Sequence, residues 1–152
     1  MTNVLKGFGF ASEDAHRTAA LILRVSLGVL FLAHAGLKIF VFTPAGTAAF
    51  FGKLGLPPAL AYATMTVEVL GGVALILGVW ARLAALVLIP VLLGAIFSVH
   101  GANGFFFTNA GGGWEFPAFW ALALFAQALL GDGALALKPT PLPTAARLPA
   151  HA

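Results

Sequence analysis

Apolar residues do not alternate along this chain; they run in long blocks broken by single polar positions. The first block runs from Thr18 to Phe42, long enough to cross ~30 Å of hydrocarbon as a helix. Ser12 suits an N-cap ahead of it, with Glu13 and Asp14 in the first turn, where the helix dipole favours acids. The stretch "TPAGTAAFFGKLGLPP" (43–58) reads as a loop, and Pro57 and Pro58 suit the start of the next helix. Ala59–Trp80 predicts a second span. "GVWARL" turns the chain into a third, Leu83 to about Val99, with Pro90 inside it. A loop rich in glycine and phenylalanine, "HGANGFFFTNAGGGWE" (100–115), precedes a fourth span opened by Pro117 and ending near Leu130, where "GDG" stops it. The pattern predicts an all-α membrane protein, a four-transmembrane-helix bundle. Residues 1–17 form a leader, 18–132 the transmembrane domain, and 133–152 a disordered proline-rich tail.

Composition agrees. The 152 residues are 61% hydrophobic and 9% charged, against about 25% charged in a soluble domain. The net charge of +3 comes from eight scattered basic residues, with no basic run that would call for nucleic acid. Lys6, Arg17, Arg24, Arg82, Lys138 and Arg147 fall on one side of the predicted spans, Lys38 and Lys53 on the other. That asymmetry predicts N-in/C-in orientation and a multi-pass protein of the bacterial inner (plasma) membrane. "AHAG" (33–36) is similar to a signal-peptidase site, but Arg24 interrupts the apolar region before it and the run stays apolar beyond it, so an uncleaved span is the reading. The absence of cysteine excludes disulfides, thiol relays, iron–sulfur clusters and covalently attached haem.

The polar residues inside the blocks are the candidates for chemistry. Glu68 lies near the middle of the second span, ~15 Å from either surface, too deep to reach water. In "VLFLAHAGLKIFVF" (29–42), His34 and Lys38 stand four residues apart and share a helix face. Arg24, Leu27, Phe31, His34 and Lys38 fall within one stripe of about 80°. Side chains lean toward the N-terminus of their helix, so on antiparallel helices the heads of His34 and Lys38 approach Glu68 in depth. The expectation is a buried polar cluster of the three. Each member also has a plainer reading, Lys38 snorkelling to the outer surface and His34 and Glu68 locking helix packing; Arg24, outside the cluster, either reaches the inner headgroups or is paired within the bundle. Gln127 reads as a packing residue. His100, Asn103 and Glu115 flank the outer loop, and Phe105, Phe106, Phe107, Trp114, Phe116 and Trp120 form either an aromatic belt or an apolar lid over a site. An apolar pocket with a few convergent polar groups suits a small molecule. A quinone head group fits, since histidine exchanges protons near neutral pH. His34 and His100 as axial ligands of haem b would lie near the surface. No phosphate loop, dinucleotide fingerprint, nucleophile elbow or metal spacing is present.

"LRVSLGVLFLAHAGLKIF" (23–40), "FFGKLGLPPALAY" (50–62), "VEVLGGVALILGVWARLAAL" (67–86) and "HGANGFFFTNAGGGWEFP" (100–117) together resemble the DoxX family of small four-helix membrane proteins, over about residues 19–132. The resemblance implies a four-helix bundle in the bacterial inner membrane and an oxidoreductase role, often beside soluble redox partners, as in the membrane part of thiosulfate:quinone oxidoreductase. On matching positions it carries over Arg24, His34, Lys38, Glu68, His100, Asn103 and Glu115. "HAG" departs slightly from the family's usual "HG", and the lack of cysteine disfavours thiol exchange in this member.

The resulting expectation is a quinone- or quinol-linked redox protein with its site in the outer half of the bundle. His34 and Glu68 would handle protons as catalytic groups; Arg24, Lys38, His100, Asn103 and Glu115 would bind substrate. No metal is expected. Partners would be the lipid bilayer, a membrane quinone or redox protein, and further copies of the chain. A non-catalytic subunit that anchors or assembles a partner enzyme is the alternative. A small-solute transporter is a third reading, and four short helices would need to oligomerise for it.

Overall fold

The computed structural model describes residues 13–141. The Ser12 cap, most of the leader and the tail beyond 141 lie outside the described residues. Five α-helices carry the fold: α1 (Glu13–Gly36), α2 (Pro44–Lys53), α3 (Pro58–Leu77), α4 (Ala81–Ala95) and α5 (Glu115–Leu130). Two of them continue without a break into five-residue π-helical turns, α1 through Leu37–Val41 and α4 through Ile96–His100. A short 3₁₀ turn, Gly101–Asn103, follows the second. Among the described residues there is no strand, only an isolated bridge between Val79 and Lys138.

The long helices close a ring. α1 packs on α3, α3 on α4, α4 on α5, and α5 returns to α1, while α2 lies against α3. The core they enclose includes Leu27, Phe31, Leu75, Leu88, Trp120 and Leu124. On α1 three members of the predicted stripe, Arg24, Leu27 and Phe31, are buried, with Ala35 beside them, while His34 and Lys38 are partly buried. α1 and α3 touch at glycines. A β-carbon on Gly28 would lie 2.7 Å from the Gly72 carbonyl, and one on Gly72 would lie 3.0 Å from the Gly28 carbonyl. Close backbone approach of this kind needs small residues.

Two expectations change, and a third is met in part. The segment 43–58 is not all loop. Thr43 accepts a hydrogen bond from Gly46 N at 3.2 Å through its hydroxyl, and Pro44 occupies the first helical position; both are helix-start signals, and they launch α2. Among the described residues three helices are long and apolar enough to cross a membrane, Glu13–Val41, Pro58–Leu77 and Ala81–Asn103, and the fourth predicted span corresponds to the shorter apolar helix α5. α5 has 16 residues, ~24 Å, less than the hydrocarbon thickness. Finally, residues 133–141 are ordered. Ala134 N donates to Arg17 O, Leu137 N to Leu77 O, and Lys138 N to Gly78 O, while Trp80 N donates to Lys138 O. This segment straps across the α3–α4 turn. The turn itself is made by Gly78 in a left-handed conformation (φ +67°), with Val79 N bonded back to Ala74 O.

Candidate functional site

Glu68 is the eleventh of the 20 residues of α3, so it sits ~15 Å from either helix end. It is 3% exposed. Lys38 meets it there: its Nζ donates to Oε1 at 2.7 Å and to Oε2 at 2.9 Å. Among the described residues this is the single ion pair. An ionisable pair inside an apolar bundle is costly unless each charge satisfies the other, and here the ammonium covers both carboxylate oxygens.

Lys38 is held by the π-turn on which it stands. There Phe42 N bonds to Leu37 O at 2.9 Å, a five-residue ring instead of the four-residue step of an α-helix. The Lys38 carbonyl accepts instead from the hydroxyl of Thr47 at 3.0 Å. Thr47 is buried on α2, so α2 ties down the turn that aims Lys38. Isolated π-turns of this kind recur at functional sites. A second one carries His100.

His34 stands one turn before Lys38 but serves another helix. Its Nδ1 bonds to Leu30 O at 3.0 Å, and its ring meets Trp120 of α5 edge-on, centroids 4.9 Å apart. The expected trio is therefore a pair, Lys38–Glu68, with His34 turned toward α5. Trp120 also contacts Phe31 at 4.5 Å and Phe116 at 5.7 Å. It is 5% exposed, and its indole Nε1 has no hydrogen-bond partner among the described residues. A buried donor left unmade costs about 1–3 kcal/mol.

The loop of residues 100–115 spends its polar side chains on itself. His100 Nδ1 bonds to Gly112 O at 2.9 Å, and Asn103 Nδ2 donates to Val99 O and Gly112 O at 3.1 Å each. Glu115 Oε1 accepts from Phe107 N at 2.8 Å. Phe105 meets Phe106 and Trp114 edge-on. Beside them lies an open cavity of about 370 Å³ lined by Phe105, Phe107, Glu115, Phe116 and Phe119. A second groove of similar volume runs between Ile39, Pro44, Tyr62, Met65 and Val69, next to the ion pair in sequence.

Arg24 is not with the others. It lies fourteen residues before Lys38, ~21 Å along the helix, and is 1% exposed. Its guanidinium donates to Leu75 O and Ile76 O at 2.7 Å and to Ala134 O at 2.8 Å. It thus covers carbonyls at the α3 C-terminus, where the dipole favours a cation. Arg82 does the same for α5, through Ala128 O at 2.9 Å. Asp132 completes this end, accepting from the Thr140 N–H at 2.9 Å and hydroxyl at 2.7 Å. Burial, the largest single influence, pushes the Asp132 carboxyl up. The Thr140 hydroxyl and N–H, with the N–H groups of Arg82 and Ala81 that open α4, outweigh it and hold the carboxyl below its ordinary range. Gln127, fully buried, donates to Gly131 O at 2.7 Å.

Sequence reasoning missed Thr47, Trp120 and Asp132. Thr47 fell in a segment read as loop. Trp120 was counted with the aromatic belt, and Asp132 had only its place in "GDG". Among the described residues no group of three His, Cys, Asp or Glu is arranged to hold a metal ion.

The ring of apolar helices, with one buried ion pair in it, is that of a small helical membrane protein. The DoxX family model matches residues 19–101, and the chain belongs to the DoxX family. It is 37% identical over 119 residues to a Bacillus subtilis (strain 168) protein described as "Putative oxidoreductase CatD", covering 78% of this chain and 84% of that one. No solved structure matches the chain.

Proposed function

We propose that this DoxX-family protein is a quinone- or quinol-linked redox subunit of the bacterial inner membrane, oriented N-in/C-in, with its site in the outer half of the bundle. The observation that carries the reading is the Lys38–Glu68 pair. Its 2.7 Å contact lies near the midplane of α3, away from both the inner arginine cap and the outer loop. Packing alone is better served by apolar side chains of similar volume, and an ionisable residue at this depth is by default a functional one. The oxidoreductase description of the B. subtilis relative supports the same class.

In this reading the electrons come from, or pass to, a partner redox protein, and this chain supplies the quinone site. Lys38 counters negative charge as it develops on the head group. Glu68 and His34 move the protons that accompany quinone reduction or quinol oxidation.

The test is to purify the protein in mild detergent and measure bound quinone by extraction and mass spectrometry, beside a control membrane protein and the Glu68→Gln variant. The expected result is quinone near one per chain in the wild type and a loss of most of it in Glu68→Gln. Folded wild-type protein with no quinone above the control would overturn the reading. It would favour a non-catalytic anchor for a partner enzyme, for which the self-bonded outer loop of His100, Asn103 and Glu115 offers a stiff surface.

A further inference from the structure

We propose that the cavity between residues 105–107 and the start of α5 is a binding site for a quaternary ammonium group, with Glu115 as its counter-ion and phenylalanine rings as its walls. The site is independent of the quinone reading, because neither Lys38 nor Glu68 lines it. The lining is Phe105, Phe107, Glu115, Phe116 and Phe119, around about 370 Å³, a volume within the range of small-molecule sites. Glu115 is the one charged residue in that lining. Among the described residues the single ion pair is Lys38–Glu68, so no basic side chain there serves the Glu115 carboxylate as counter-ion. Around this acid the four phenylalanines are all exposed.

The chemistry of the lining selects the ligand. An ionised carboxylate accepts hydrogen bonds and donates none, so a neutral carbonyl compound finds no side-chain donor here. The face of a phenylalanine ring is the negative part of its quadrupole and attracts a cation, as the carboxylate does. A primary ammonium is compact and strongly hydrated, and these walls offer one carboxylate in place of its water. A trimethylammonium group donates no hydrogen bond, and its methyl groups suit apolar walls. The cradle is also fixed in advance. Glu115 N donates to Phe105 O at 3.0 Å, and the Glu115 side chain accepts from Phe107 N at 2.8 Å, so one residue holds the loop wall twice. Phe105 is braced edge-on by Trp114 at 4.9 Å. Phe116 and Phe119 stand three residues apart on α5, a spacing that shares a helix face. Walls held in this way lower the ordering cost of binding.

The test uses the full chain in maltoside detergent, which carries no ammonium group. Choline is the probe, followed by saturation-transfer NMR of its methyl protons, beside dimethylbutanol, the uncharged isostere with carbon in place of nitrogen. The expected result is saturable choline binding, with dimethylbutanol weaker by about tenfold or more. Glu115→Gln keeps an acceptor for Phe107 N and removes the charge; it should weaken choline about tenfold. Phe119→Leu keeps an apolar side chain and removes a ring; it should weaken choline about threefold. No choline binding, equal binding of dimethylbutanol, or choline binding unchanged in folded Glu115→Gln would each overturn the proposal. Should Glu115→Gln not fold, the wild-type comparison of choline with dimethylbutanol decides alone. Competition then gives the source of the ammonium. Displacement of choline by phosphatidylcholine but not by phosphatidylglycerol upholds the site as one for a lipid head group, and displacement by neither upholds it as one for a free solute. Equal displacement by both lipids would mean that acyl chains fill the cavity, and the proposal would fall.

Discussion

A lysine and a glutamate paired in an apolar interior respond differently to single and double removal. Taking away Lys38 alone leaves the 3%-exposed Glu68 carboxylate without its partner, and breaking such a pair costs about 3–5 kcal/mol. Replacing both by apolar residues of similar volume removes the desolvation cost along with the attraction. We therefore expect Lys38→Met to lower thermal stability in detergent strongly and Lys38→Met/Glu68→Leu to recover most of it, measured by unfolding midpoints of the three proteins. A double variant as unstable as the single would show that the pair holds the fold itself. The meeting of Lys38 with Glu68 was legible because depth along a helix and side-chain lean follow from residue number. The divergence of His34 toward α5 was not, because helical phase gives a face and never names the helix opposite. Arg24 shared that face, yet it lies at the other end, where it satisfies carbonyls that no sequence pattern advertises.

At the scale of elements, glycines set the approach of α1 and α3 where they cross. A β-carbon at Gly28 would meet the Gly72 carbonyl at 2.7 Å and the Ile76 side chain at the same distance. A carbonyl in a helix cannot yield, so the helices must part. Gly28→Ala should cost about 1–3 kcal/mol through overpacking. Gly94→Ala is the internal control: nothing lies within 4 Å of its β-carbon, and alanine is the better helix former by ~1 kcal/mol. Thermal denaturation of both variants checks the contrast, and equal midpoints would contradict it. The long helices were readable from apolar run length alone. α2 was not, because Pro44, Gly46 and Gly52 read as breakers, although a proline at a first helical position opens a helix. The two π-turns left no mark in the apolar pattern, since one extra residue per turn is invisible to a block of uniformly apolar residues.

On the scale of the whole molecule, charge is concentrated at one end. Arg24, Arg82 and Asp132 close the end of the bundle where α3 and α5 finish and α4 begins. The Asp132 carboxyl is held below its ordinary range by Thr140 and the N–H groups of Arg82 and Ala81. The folded state therefore releases this proton more readily than the unfolded chain. The stabilisation is fully present above the ordinary carboxylate value of ~3.9 and is lost as pH falls through the lower folded value. Between about pH 5 and pH 3 the wild type should lose more stability than Asp132→Asn, whose amide does not titrate. Parallel loss in the two would place the acid sensitivity elsewhere. The overall bundle was foreseeable from composition. The strap of residues 133–141 was not, because a proline-rich stretch with few large apolar side chains carries no signal that its backbone groups have partners waiting at Arg17, Leu77 and Gly78.

That strap bears on how the protein is made. A chain emerging from the ribosome at about 5–20 residues per second delivers α1 and α3 first. Arg24 is synthesised long before Ala134, one of the three carbonyls it covers, and the N–H groups of Ala81 and Arg82 are made well ahead of the Asp132 carboxylate. During membrane insertion the end of the nascent bundle therefore stays unsealed until residues 131–141 have left the exit tunnel, and a chain stalled at Leu130 would hold all five of the described α-helices and still be unfinished.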